Sequence, residues 1–297
     1  MILRRLTFQN PWIVAVDSAT RPGRSWAVLS VGVATCALAI VGGRALAGML
    51  AETIGARAAG PWADILIQSC FYICVFLPLW LVAAAAGALE GRVVWRKEPR
   101  ALGAIATGLA IGGVGFALGV ALAAGLGAVS NGPTHHTAVA GGILIGALIV
   151  AFQAGGEEIF FRGWMQPVLC ARFGPWIGLV VTAAMFTALH LVVGARNPLS
   201  VLNLMLGGLL FGLLALRSGG LWAAFSAHWA WNWTESSLLG LDPNPGVAPT
   251  GSLIDLDLAG PALWSGGGDG MNGSLAATLV LLTLVIATMA AAPKHSN

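Results

Sequence analysis

Charge is what this sequence has least of. Only 9% of its 297 residues are Asp, Glu, Lys or Arg, where an ordinary soluble domain carries roughly 25%, and a water-facing surface cannot be built from so few. The fifteen Lys and Arg form no dense basic stripe interleaved with exposed aromatics, which excludes a nucleic-acid partner. Cysteine is also scarce. Cys36, Cys70, Cys74 and Cys170 sit in or beside apolar stretches and show neither extracellular nor metal-knuckle spacing, so they read as small buried apolar side chains. No internal repeat is visible, which weighs against transporters built from inverted halves. The stretch before Trp26 lacks the compact apolar core of a cleaved signal peptide and reads as a retained lead-in, with an interfacial helix about Phe8 to Val16.

What is abundant is hydrophobic length. A bilayer core about 30 Å thick needs roughly 20 apolar residues per helix. Eight segments meet that need, at 26–50, 65–89, 101–127, 138–157, 174–194, 198–217, 220–240 and 274–292. The expected fold is therefore all-α, a polytopic transmembrane bundle of about eight helices. Small residues such as Gly108, Gly112 and Gly115 let helices approach closely in lipid. Positive residues set the orientation. With the N-terminus inside, Arg4, Arg5, Arg21, Arg24, Arg92, Arg96, Lys97, Arg100, Arg162, Arg172, Arg217 and Lys294 all fall on the cytoplasmic side, twelve of fifteen. The third loop and the seventh, Leu241 to Met271, contain no Lys or Arg, so both termini are expected in the cytoplasm.

An ionisable side chain at the centre of a span costs on the order of 2.5 to 3.5 kcal/mol, so each one asks for a reason. The densest group is Glu157-Glu158-Ile159-Phe160-Phe161-Arg162. Glu158 and Arg162, four apart, meet on one helical face as a structural ion pair. Glu157 points about 100° away, onto the face of Gln153 and Trp164, without such a local partner. His190 follows Phe186 by four residues, and His228 precedes Asn232 by four. Gly174 and Pro175 mark the turn between the fourth and fifth helices. If the fourth helix runs on past Arg162, Glu157 and His190 both stand roughly 24 Å from that turn, with Pro167 kinking the extension. His228 and Asn232 lie nearer the cytoplasm on a straight-helix estimate. Trp229, Trp231 and Trp233 are positioned to wall a cavity or to anchor at the interface. His135 and His136 read as surface loop residues.

The ordered patterns Glu-Glu-x-x-x-Arg, Phe-x-x-x-His and His-x-x-x-Asn, on separate helices, resemble those of the CaaX-protease and bacteriocin-processing (CPBP) family of intramembrane peptidases, over roughly residues 138–240. The resemblance implies that Glu157 with His190 activates water, that His228 with Asn232 forms the oxyanion site, and that Glu158 and Arg162 organise it. It implies a peptidase without a resident cofactor, working in the bilayer on a peptide or lipidated protein. Prenylated CaaX tails, leader peptides and sorting tails all suit a cytoplasm-facing cavity. The chemistry is coherent by itself, since water needs a positioned base and the oxyanion needs donors.

The rivals are specific. Zinc held by Glu157, His190 and His228 with an open fourth position is a catalytic pattern, although no His-Glu-x-x-His run is present and Asn232 is a poor ligand. Ser226 lacks a Gly-x-Ser-x-Gly frame. From other classes, a proton-relaying transporter or channel and a non-catalytic immunity or scaffold protein also remain. The expected organisation is an N-terminal segment at 1–25, three helices over 26–137, a catalytic core over 138–240, a non-cytoplasmic Gly/Pro-rich loop at 241–273, and a last helix with a short tail at 274–297.

Overall fold

The computed structural model describes residues 13, 24–90, 93–95, 97, 98, 100–132, 141–194, 197–241 and 248–291. The interfacial helix expected about Phe8 to Val16, apart from Ile13, and the pair His135 and His136 lie outside the described residues. Eight long helices follow in order: α1 Arg24–Gly55, α2 Pro61–Leu89, α3 Ala101–Gly125, α4 Gly142–Phe173, α5 Pro175–Val193, α6 Pro198–Ser218, α7 at 222–238 and α8 Leu275–Ala290. Their outward faces carry side chains such as Leu38, Leu144 and Leu148, each about 70% exposed. Such a belt is untenable in water and natural in lipid. The chain is an all-α, multi-pass integral membrane protein.

Two expectations need correction. Seven described helices have the length and apolarity to cross a bilayer, and the span expected at 220–240 is not among them. It is α7, with 12 residues of α-helix closed by a five-residue π turn, Thr234–Leu238. Its polar end residues Thr234, Glu235, Ser236 and Ser237 are buried inside protein rather than exposed to lipid, so a full apolar belt is not required of it. The fourth helix is longer than 138–157. It continues past Arg162 to Phe173 through a π-helical stretch, Ile159–Met165. Pro167 has no N–H to donate and disfavours an ordinary α turn behind it, and the wider turn accommodates it while keeping the helix continuous.

Local signals at the helix ends hold. Gly174 adopts φ 86° ahead of Pro175 at the start of α5. The glycines of α3 do what small residues were expected to do: a Cβ on Gly108 or Gly112 would collide with the Ala223 or Ala227 carbonyl of α7, and one on Gly115 would meet Leu284 of α8 at 2.9 Å. The helix bearing His228 is thus seated directly on the backbone of α3.

The seventh loop is more than a connection. Leu256–Leu258 pairs antiparallel with Val129–Asn131, and a 3-10 segment, Gly267–Gly273, leads into α8. That segment is stapled to the start of α6. Asp269 Oδ2 accepts from Asn197 N at 3.0 Å and Ser200 Oγ at 2.6 Å, while Asn203 Nδ2 donates to the carbonyls of Asn272 and Ser274, both at 2.9 Å.

Candidate active site

Glu158 is the hub of a buried polar network. Its Oε1 accepts from Arg162 Nη1 at 3.0 Å and from His228 Nδ1 at 2.9 Å, joining α4 to α7. Glu158 and Arg162 have no exposed surface, and His228 has 4%. Arg162 Nη2 donates to the Gly208 carbonyl at 3.1 Å, and one turn on, Gln166 Nε2 donates to the Gly212 carbonyl at 3.0 Å. Two successive polar side chains of α4 therefore anchor on α6, where glycines leave the carbonyls within reach. A buried charge persists only when paired and hydrogen-bonded, and this one is both.

Aromatic rings close the network. The Arg162 guanidinium carbon lies 4.6 Å from the Phe186 centroid and 5.6 Å from that of Phe211, a cation–π arrangement strengthened by exclusion of water. Phe211 stacks on His228 at 4.7 Å, and Phe186 packs on His190 at 4.6 Å.

Both histidines are held through the same ring nitrogen. His190 Nδ1 lies 2.9 Å from the Phe186 carbonyl oxygen. A carbonyl only accepts, so Nδ1 carries the proton and Nε2 is left with its lone pair. His228 Nδ1 likewise donates to the Glu158 carboxylate. His190, His228 and Asn232 line one cavity of about 470 Å³, together with Gln153, Phe211 and Trp231.

Glu157 stands differently from the other sequence-derived candidates. It is 1% exposed and lies behind Gln153, whose Nε2 donates to Glu157 Oε1 at 3.3 Å; Oε2 has no hydrogen-bond partner among the described residues. It borders the cavity through Gln153 and is not itself a lining residue. The four candidates thus share one region, three on the cavity wall and one a hydrogen bond behind it. The tryptophans divide as well. Trp231 lines the cavity, whereas Trp229 donates to the Ala147 carbonyl at 2.9 Å and stacks on Trp233.

Several residues escaped the sequence reading. Glu235 lines the cavity at 4% exposure, with Oε1 unpartnered among the described residues. It lies three residues after Asn232 and seven after His228, a helical period that marks it for the same face. Tyr72, Ser200, Asn203 and Asp269 also line the cavity; nothing local in the sequence brings them there. At the opposite end of α7, Glu98 Oε1 accepts from Trp222 N at 2.9 Å and caps the helix. Burial raises its carboxyl above the ordinary range, partly offset by the backbone N–H bonds of Trp222 and Leu221.

For zinc, the donors themselves can be judged. Among the described residues no three His, Cys, Asp or Glu side chains converge into a metal-holding group. Glu157, His190 and His228 therefore do not present a zinc site in this arrangement, and no step below passes through a metal. Ser226 Oγ donates to the Trp222 carbonyl of its own helix and is not displayed as a nucleophile.

Residues 137–234 match a family model described as Type II CAAX prenyl endopeptidase Rce1-like. The match covers about a third of the chain and supports a CPBP family intramembrane protease. The matched stretch contains Glu157, Glu158, Arg162, His190, His228 and Asn232, and ends one residue before Glu235. That family indicates a protease and implies a bilayer and a peptide substrate. No curated protein and no solved structure gave a match.

Proposed function

We propose that the chain is an intramembrane endopeptidase of CaaX type, hydrolysing a peptide bond of a membrane-associated or lipidated substrate with water activated by Glu157 and His190. The observation that carries this reading is the shared orientation of the two imidazoles: each spends Nδ1 on a fixed acceptor beside one cavity. His190 Nε2 is then free to take a proton from water, with Glu157 as the second proton carrier once Gln153 yields. The hydroxide attacks the carbonyl carbon, and the proton returns to the departing amine.

Asn232 Nδ2 donates to the developing oxyanion, and His228, held in place by Glu158, faces the same cavity beside it. We assign Glu158 and Arg162 as positioning residues, acting through His228.

The purified chain should cleave a panel of membrane-anchored peptides, and Glu157→Gln, His190→Ala and His228→Ala should each abolish cleavage while remaining folded. Running the wild type with and without a chelator separates the metal-free reading from a zinc protease. Full cleavage by Glu157→Gln would sink the proposal.

A further inference from the structure

Resting on that reading, we infer that the active-site cavity opens on the non-cytoplasmic face, so that the substrate is a peptide segment presented from outside. The cavity wall runs from the bundle's end inward. Exposed Gly194 and Gly268 stand at its mouth, then Asp269 and Asn272, then Ser200 and Asn203 in the first two turns of α6. Glu235 and Asn232 follow near the finish of α7, and His228 lies deepest on that helix. Both connections that contribute, α5 to α6 and α7 to α8, sit at the end where α1 and α3 also finish.

The charges point to which side that end faces. The seventh loop, Leu241 to Met271, has no Lys or Arg and carries Asp242, Asp255, Asp257 and Asp269. The opposite end bears Lys97, Arg100, Arg172 and Arg217. Positive residues mark the cytoplasmic side, so the mouth faces away from it. The cytoplasm-facing cavity expected from sequence is reversed by the same arginines that set the orientation.

Toward the opposite end, α4 is packed inside the protein. Beyond Glu158 along α4 lie Phe160, Phe161, Arg162, Met165 and Leu169, all with no exposed surface. The mouth, in contrast, has a rim fixed by the Asp269 and Asn203 bonds to α6.

Sidedness can be read without any cleavage. In full-length chain with Cys36, Cys70, Cys74 and Cys170 replaced by Ala, Gly268→Cys reports the mouth, where a side chain meets open space, and Lys97→Cys, exposed, reports the other end. A membrane-impermeant maleimide applied to intact cells should label Gly268→Cys and should reach Lys97→Cys only after permeabilisation; the reverse pattern overturns the inference. Should the cysteine-free chain fail to fold, a fluorescent-protein fusion after Asn297 in the native chain is expected to fluoresce as a cytoplasmic tail, and an active alkaline phosphatase fusion there overturns the orientation. New termini in membrane proteins that require wild type and vanish with Glu157→Gln should lie in non-cytoplasmic segments, and termini confined to cytoplasmic tails overturn the inference. If no such termini arise, the protease reading fails while the labelling still decides the side.

Discussion

The imidazole of His228 and the carboxylate of Glu158 meet at 2.9 Å, seventy residues apart in sequence, on the oxygen that also receives Arg162. One carboxylate oxygen therefore fixes both the charge of α4 and the ring orientation of α7. Removing it leaves a fully buried guanidinium without its anion, a loss worth about 3 to 5 kcal/mol for a broken buried pair. Glu158→Gln is expected to unfold at markedly lower denaturant in detergent. The double variant Glu158→Gln/Arg162→Met should recover much of that stability and none of the cleavage. Recovery of cleavage would reduce Glu158 to a purely structural residue.

His190 and His228 should separate in how they fail. His190 is half-buried and its recorded bond is to a carbonyl of its own helix, so His190→Ala is expected to lose turnover with a stability change of about 1 kcal/mol or less. His228 ties two helices and stacks on Phe211, so His228→Ala should lose both. Thermal unfolding beside single-turnover cleavage distinguishes them, and equal stability losses would contradict the assignment.

Asn232 offers only its amide to the cavity. Loss of one oxyanion donor costs about 100- to 1,000-fold in kcat, so Asn232→Ala is expected to show that loss with KM little changed. A KM effect alone would make Asn232 a substrate-binding group instead.

Much of this was legible in the chain, for local reasons. Hydrophobic length located the helices, and Gly174 with Pro175 located a turn, because such signals act within a few residues. The ordered Glu, His and Asn motifs marked the residues that surround the cavity. Depth was not legible. A straight-helix rise put His228 nearer the cytoplasm than Glu157, yet His228 reaches Glu158 at 2.9 Å. Glu235 had a readable signal in its spacing from His228. The Asp269 contacts did not, since they join segments about seventy residues apart.

Glu98 gives a pH dependence whose sign is fixed. Burial raises its folded-state pKa above the ordinary carboxylate value, so the folded state binds the proton more tightly than the unfolded chain. Its contribution to stability is then complete below the ordinary value and is lost as pH rises through the raised one. Glu98→Gln retains an acceptor for the Trp222 N–H and cannot ionise; its melting temperature should match wild type in acid and exceed it as pH rises. Glu98→Ala, lacking the cap, should lose about 1 kcal/mol in acid, a deficit that shrinks as pH rises. Parallel melting curves for wild type and Glu98→Gln from pH 4 to 9 would contradict the account.

The contact of α3 with α7 leaves no room for a side chain at Gly112. A side chain at Gly112 would occupy the position of the Ala227 carbonyl, a backbone atom one residue before His228 that no rotamer change can move. Gly112→Val must push α7 away from α3, displacing His228 from Glu158, and is expected to abolish cleavage and broaden the detergent gel-filtration profile. Gly103, on the same helix, faces open space, so Gly103→Ala should leave both unchanged. An active, monodisperse Gly112→Val would show that α7 tolerates displacement, and the fixed geometry of His228 would lose its support.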